Sequence, residues 1–483
     1  MRKLSCAAQK RGFACYTNYL KILLQFNKYI ISIRAYKVNI IGLTKAGKSL
    51  YNLLGITMEK ELYRDFVNIL NEELLPAMGC TEPIAIAYAA ALARNALGAL
   101  PESVEITVSG NILKNVKSVI VPSTGGLKGV VSAAAAGIVA GRHDKKLEVL
   151  SGLTEADIKA VKSYISAARF TVKPADSGCV FDIGITVFAG KNRAFARIEG
   201  HHTNVVEVSK NGEKIIDKQV AEENANDGMT DRNCLSVKRI IEFCDCVDIK
   251  DIEAVISRQI EYNSAIAEEG LKGDYGARVG KVLLDSFGDG VHNLARATAA
   301  AGSDARMNGC SLPVVIVSGS GNQGMTASLP IVVYAKKMNA PREKMLRAVA
   351  LSDLITIHLK TGIGRLSAYC GAVSAGAGAG AGVAYLCGGG FEEIAHTVVN
   401  ALAITSGLIC DGAKSSCAAK IASAVDAGLL GYEMYKRGSQ FYGGDGILCH
   451  GVESTIDNVC DLARVGMKET DEEIIRLMIK DLA

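Results

Sequence analysis

The sequence has no tryptophan among its 483 residues, only 8 prolines and only 6% aromatic residues. With so few bulky rings, the interior has to be filled by smaller side chains. The 50 glycines and the alanine runs supply them, and they let helices and loops approach closely. With 49% hydrophobic and 22% charged residues, the composition excludes a disordered or collagen-like chain and describes a globular protein with a large core. The length fits roughly two or three domains of about 150 residues each.

Acid is absent from residues 1–57, which hold three Arg and seven Lys. The remainder has 44 basic residues against 50 acidic ones, a net of −6 hidden beneath the overall +4. A mildly acidic body lacks the clustered positive surface that phosphate backbones need, so nucleic acid is not an expected partner. The basic segment is not enriched in Arg and Ser as transit peptides are. Met58 opens the amphipathic stretch MEKELYRDFVNILNEELL with Glu in its first turn, so we read 1–57 as a leader outside the fold, with translation starting at Met58. Inside that leader, Gly42-Leu-Thr-Lys-Ala-Gly47-Lys48-Ser49 follows the apolar run Val38-Asn-Ile-Ile41 and matches the phosphate-cradling pattern G-x-x-x-x-G-K-S. A nucleotide-binding module would use the loop N–H groups and Lys48 on phosphates and Ser49 on magnesium. It would also need a metal-holding Asp on a second strand of a parallel sheet, for which the sequence shows no candidate. A chance match is the expectation.

Charge is also missing from residues 366–391, a stretch long enough to suggest a membrane span. Its content argues for a buried, closely packed segment instead, because Gly376-Ala-Gly-Ala-Gly-Ala-Gly382 carries little apolar driving force per residue. No membrane partner is expected.

The coarse pattern is α+β: a mixed region over 58–234 with a small, partly antiparallel sheet, then a larger helical region over 235–483. Helices are expected over 58–75, 83–97 and 130–140, and from Thr154, where Asp157 completes a capping-box signal. Strands are expected over 104–108 and 116–121, and then over 170–173, 180–188, 193–198, 205–208 and 214–220. Lys210-Asn-Gly-Glu213 marks a hairpin between the last two. Helical patterns follow at 237–243, 249–270, 342–354 and 472–482.

Fourteen cysteines with no short, regular framework suit a reducing cytoplasm and free thiols. Cys244-Asp-Cys246 is a tight pair without the second pair of a structural zinc site. Cys80, in Gly79-Cys-Thr-Glu-Pro83 at a helix start, is placed where backbone N–H groups and the dipole favour a thiolate. Cys370 heads the Gly/Ala run, and Cys410 stands in Cys410-Asp-Gly-Ala-Lys414. Two further segments suit a small polar ligand. Ser318-Gly-Ser-Gly-Asn-Gln-Gly324 follows an apolar run and precedes a helix, so it can cradle a carboxylate. Glu199-Gly-His201-His202-Thr-Asn204 offers a histidine as acid or base.

Gly79-Cys-Thr-Glu-Pro83, Pro122-Ser-Thr-Gly-Gly126, His202-Thr-Asn204, Ser318–Gly324, Tyr369-Cys-Gly371 and Cys410-Asp-Gly-Ala-Lys414 together resemble the L-cysteine desulfidase family. That family is related to the catalytic α subunit of the iron–sulfur-dependent L-serine dehydratases. The resemblance runs from about Met58 to the C-terminus and implies a [4Fe–4S] cluster held by Cys80, Cys370 and Cys410, with one iron left open and no PLP. It implies a carbon–sulfur lyase that converts L-cysteine to pyruvate, ammonia and sulfide, the open iron acting as a Lewis acid on the leaving group. On this reading His202 is the acid or base, and Ser318, Gly319, Ser320, Gly321, Asn322 and Gln323, with Thr203 and Asn204, bind the substrate. Asp411 and Lys414 tune the cluster or hold the amino acid. The related dehydratases carry a further cluster cysteine beyond the Cys-Asp-Gly motif. Cys417 follows at seven residues, closer than that role suggests, and is read as packing. Serine dehydration is the alternative, and the nucleotide-binding module at 42–49 is the alternative of another class. A homo-oligomer is compatible with the sequence, which does not fix the state.

Overall fold

The computed structural model describes residues 58–218, 229–364 and 366–480; the leader, the phosphate-loop match at 42–49 and the end of the last expected strand lie outside them. The chain divides between Glu59 and Lys60, and the architecture below is that of the unit Lys60–Ala483.

Helix α1 (Lys60–Glu73) buries Phe66, Ile69 and Leu70, an i, i+3, i+4 stripe. The short strand β1 (Pro76–Met78) leads to Cys80 and then to α2 (Thr81–Leu97), which ends at Gly98 with φ 80°. Then come β2 (Ser103–Val108), α3 (Gly110–Val116), α4 (Gly129–Ala140) and α5 (Glu155–Ala167). The capping box expected at Thr154 forms: its N–H donates to the Asp157 carboxylate at 2.8 Å, and the Asp157 N–H donates to the Thr154 hydroxyl at 3.2 Å.

Strands β3 (Arg169–Pro174), β4 (Asp182–Ala189), β5 (Asn192–Glu199), β6 (Val205–Lys210) and β7 (Glu213–Asp217) complete a six-stranded sheet with β2. Its order is β3-β2-β4-β5-β6-β7, parallel only between β2 and β3. The expected hairpin joins β6 and β7 through Asn211 and Gly212, at φ 53° and 92°, the left-handed pair that such a tight turn requires. Helix α2 lies across β4, β5 and β6, and α4 packs against α2, where a Cβ on Gly137 would come within 2.1 Å of the Ala87 carbonyl oxygen.

The strand expected over 116–121 does not form. Ile112 and Val116, four residues apart, are both buried as one face of the helix α3, and Val119 and Val121 fill a buried turn with an isolated bridge, Ile120–Lys128, in place of a strand. A short β-branched run has no period long enough to separate the two outcomes.

The second region contains α6 (Val237–Cys246), α7 (Ile249–Lys272), α8 (Val279–Phe287), α9 (Val291–Met307), β8 (Pro313–Val315), α10 (Gly321–Met338), α11 (Arg342–Ile363), α12 (Gly371–Leu386), α13 (Phe391–Thr405), α14 (Cys417–Lys436), α15 (Val452–Asp461) and α16 (Lys468–Lys480). The antiparallel pair β1–β8, with Pro76 opposite Val315, ties it to the first region within one unit. This is an α+β architecture. Among the described residues no helix is long and apolar enough to cross a membrane.

The Gly/Ala run becomes α12, surrounded by α10, α11, α13 and α14. Its helix propensity is poor, and tertiary burial decides the outcome. A Cβ on Gly376 would lie 2.3 Å from the Ala424 carbonyl oxygen, and one on Gly428 would lie 2.1 Å from that of Gly376, so α12 and α14 touch backbone to backbone. Gly428→Ala is expected to cost roughly 1–3 kcal/mol by overpacking, read as a lowered urea midpoint with an unchanged slope.

In α9, Asp304 is buried and accepts the Gly280 N–H at 3.0 Å. Burial raises its carboxyl from 3.8 to about 6 against the backbone hydrogen bonds from Gly280 and Val279. The folded state therefore holds this proton more tightly than the unfolded chain. The contribution is most favourable below pH 3.8 and is lost as pH rises through about 6. Asp304→Asn is expected to gain stability on the wild type across that window, measured as the difference between the two proteins' urea midpoints.

Candidate active site

Four helices begin at one cavity of about 100 Å³. Its lining includes Cys80, Ser320 and Cys370, the N-cap residues of α2, α10 and α12, and Cys417, the first residue of α14. None of these helices has a side-chain cap hydrogen bond at its start. Forgoing the side-chain cap bond costs about 1 kcal/mol per helix. The positive ends of four helix dipoles border the same space. Arg306, Lys360 and Lys420 add positive charge to the lining, against Glu82 alone among the carboxylates. The physics is that of a site for a buried anion.

Cys370 and Cys410 are brought together by local pairing. The Cys370 N–H donates to the Leu408 carbonyl at 3.0 Å, the Cys410 N–H to that of Ala368, and Tyr369 bridges Ile409 antiparallel. The Cys370 thiol donates to the Cys410 sulfur. That bond lowers the Cys410 thiol to about 6 despite burial, with help from Lys114, the Gly412 N–H and Lys360. The same bond, followed by burial, holds Cys370 well above its ordinary value. Cys80 departs from the sequence expectation. Burial first and then Glu82, whose carboxylate accepts from its sulfur at 3.2 Å, push this thiol well above the usual range, and Arg306 opposes them only in part. A helix start does not by itself make a thiolate once the sulfur is fully desolvated.

The donor set fits an iron–sulfur cluster. Three buried or half-buried thiols, separated along the chain by 290 and 40 residues, line one cavity whose surroundings favour negative charge. Among the described residues no three His, Cys, Asp or Glu side chains are grouped to hold a single metal ion. A cluster is wider than an ion, and its ligands stand farther apart. Cys417 both lines the cavity and packs with Ala413 against Cys80, Val119 and Met307.

Of the other residues singled out from the sequence, His202, Ser318, Gly319, Ser320, Asn322 and Gln323 line the cavity. His202 is buried, its ring edge-on to Phe181 with centroids 4.7 Å apart. Gly321 lies in the first turn of α10, where a Cβ would meet Arg306 Nε at 2.6 Å. Thr203 and Asn204 are not in the lining and secure the turn instead: the Asn204 amide donates to the Glu199 carbonyl at 2.9 Å, and the Thr203 hydroxyl lies 3.4 Å from His201 Nδ1. Asp411 and Lys414 stand beside the cavity, where Asp411 is ion-paired with both Lys414 and Lys420. Burial raises the Asp411 carboxyl, but the hydrogen bonds from the two lysines outweigh it and bring it to about 2.

The sequence reading missed Arg306, Lys360, Lys420 and Asn115 in the lining. Lys360 carried a usable signal: it is a cation next to Leu359 in an apolar stretch of α11, and both residues are buried. Ser318, Lys360, Leu366 and Ser367 also line a larger chamber of about 720 Å³ that adjoins the inner cavity.

Fold and cavity define an α+β core built around a buried, thiol-lined, electropositive centre. The serine dehydratase alpha chain family model matches residues 144–476, and the chain belongs to that family, a group of iron–sulfur-dependent lyases. The match includes Cys370 and Cys410 but not Cys80. Similar proteins include a UPF0597 protein of Desulfitobacterium hafniense, 58% identical over 417 residues, covering 86% of this chain and 97% of the relative. UPF0597 proteins of Lachnoclostridium phytofermentans and Treponema denticola are 48% and 46% identical, each aligned over 100% of its own length and over 86% and 88% of this chain.

Proposed function

We propose that this chain is a carbon–sulfur lyase that cleaves L-cysteine to pyruvate, ammonia and sulfide, with Cys80, Cys370 and Cys410 holding a [4Fe–4S] cluster. The observation that carries the reading is the convergence of those three cysteines on a cavity bordered by four uncapped helix starts. When bound, such a cluster supplies an open iron as a Lewis acid for the substrate's sulfur. The chain's own residues do the rest. The loop Ser318–Ser320 and the first N–H groups of α10 suit the carboxylate. His202, buried in the lining, suits the proton transfer at Cα. The Asp411–Lys414–Lys420 cluster fixes the loop that bears Cys410, since Lys420 also donates to the Ile409 carbonyl at 2.8 Å. Lys414, engaged there and outside the lining, suits anchoring better than Schiff-base formation with PLP. The free cysteines suit a reducing, cytoplasmic setting.

The family's description as a serine dehydratase chain favours a second reading, with hydroxide in place of sulfide as the leaving group. Cys80, which completes the cysteine set that the resemblance to the L-cysteine desulfidases implies, favours cysteine. Anaerobic assays that follow sulfide from cysteine and pyruvate from each amino acid test the choice. Sulfide and pyruvate from cysteine are expected; pyruvate from serine with no sulfide from cysteine would overturn the assignment.

A further inference from the structure

The lining is rich in donors, and two of its groups do the opposite. Gln323 is buried and lines the cavity, and its side-chain oxygen Oε1 is shielded from solvent without a hydrogen-bond partner. The neighbouring Asn322 side chain also lines the cavity, and its oxygen Oδ1 is in the same condition. Neither amide is loosely placed. Asn322 Nδ2 points to the Met307 sulfur at 3.7 Å, which leaves Oδ1 as its unused end. The Gln323 amide lies against the start of α12 so closely that a Cβ on Gly371 would be 2.8 Å from Cδ. Burying an acceptor without a donor is costly, so two of them in the lining of one ligand cavity mark a place where the ligand brings the donors. The lining's own strong donors, Arg306, Lys360, Lys420 and the helix N–H groups, suit anions. What this pair lacks is a small group with several N–H bonds. A protonated primary amine has three.

We infer that Asn322 and Gln323 are the positioning residues that read the substrate's α-ammonium group, accepting from it through Oδ1 and Oε1 while the loop's backbone N–H groups take its carboxylate. This rests on the proposed function only in so far as the substrate is an α-amino acid. It applies equally to cysteine and serine, because it concerns the end of the molecule that does not leave. It also divides the loop's work: backbone N–H groups hold the carboxylate, and the two amide side chains hold the amine. The site would then select amino acids over thiol acids of the same length.

The test uses the anaerobically prepared holoenzyme and its Gln323→Met variant. Calorimetry follows L-alanine, which has the ammonium and carboxylate groups but no leaving group, against propionate, which lacks the amine. Inhibition by 3-mercaptopropionate is measured alongside the KM for L-cysteine. Gln323→Met is expected to weaken L-alanine binding and raise the cysteine KM by about tenfold or more, the effect of losing a hydrogen bond to a charged group. Propionate binding, 3-mercaptopropionate inhibition and the cluster's visible absorbance should be unchanged. Gln323→Glu, which keeps the acceptor, should hold L-alanine at least as tightly as the wild type, and it carries the test should the methionine variant lose the cluster. Equal weakening for ligands with and without the amine, or no weakening for either, would overturn the inference. The binding comparison remains readable even for an enzyme that releases pyruvate from neither cysteine nor serine, so the two proposals fail separately.

Discussion

Replacing Cys410 with serine is expected to give a colourless protein of low iron content in which β-elimination falls by ~10³-fold or more, the scale of several kcal/mol of lost Lewis-acid stabilisation. Cys410 is the sharpest of the three positions to test. Its sulfur is the one thiol in the cavity drawn below its ordinary range, so it is the thiolate most ready to bind metal. Its backbone N–H is paired with Ala368, so serine keeps the local geometry and removes the sulfur alone. Cys80→Ser and Cys370→Ser should behave alike. Cys417→Ser, which alters a residue packed against the Cys80, Val119 and Met307 cluster, should keep its colour. Iron content, visible absorbance and pyruvate release, measured together, check the set. Wild-type iron and rate in the Cys410 variant would remove the site assignment.

A second large effect is expected at a buried ion pair beneath the Cys410 loop. Lys114 is almost wholly buried, its side chain 1% exposed, and its ammonium is paired with Asp471 of α16 at 2.5 Å. Asn111 donates to the same carboxylate at 2.8 Å, and Lys114 also lies 3.4 Å from the Cys410 carbonyl oxygen. Asp471→Leu leaves that ammonium uncompensated and is expected to cost about 3–5 kcal/mol, visible in urea denaturation. The double variant Lys114→Met, Asp471→Leu should recover much of the loss, because the penalty belongs to the stranded charge rather than to the missing pair. Additive losses would show instead that the contact serves mainly to pack α16 on α3.

Local signals carried much of the architecture. The Asn211-Gly212 turn, the Thr154 capping box and the amphipathic stripe of α1 are each decided by neighbouring residues, and they stand in the structure as the sequence indicates. The run at 116–121 was ambiguous, because helical and strand periods do not diverge over so few residues. Spacing alone could not join Cys80, Cys370 and Cys410, whose meeting is a product of two helix starts and of the backbone pairing between the Cys370 and Cys410 segments. Only the family resemblance joined them in advance. Arg306 stayed hidden for a related reason: it reads as an ordinary surface charge, and only the packing of α9 turns it inward. Thr203 and Asn204 show the reverse, since polar residues next to a site histidine are engaged in holding its turn.

The backbone seam between α12 and α14 works as a gauge block. Both helices start at the cavity, one at Gly371 and the other at Cys417, and where they touch there is no side chain to yield. The span between those two starts is therefore set by main-chain atoms rather than by rotamers, and it resists adjustment. Anyone wishing to widen or narrow the mouth of this centre would do better to redesign the seam, roughly two to three turns away, than to exchange the residues that face the ligand.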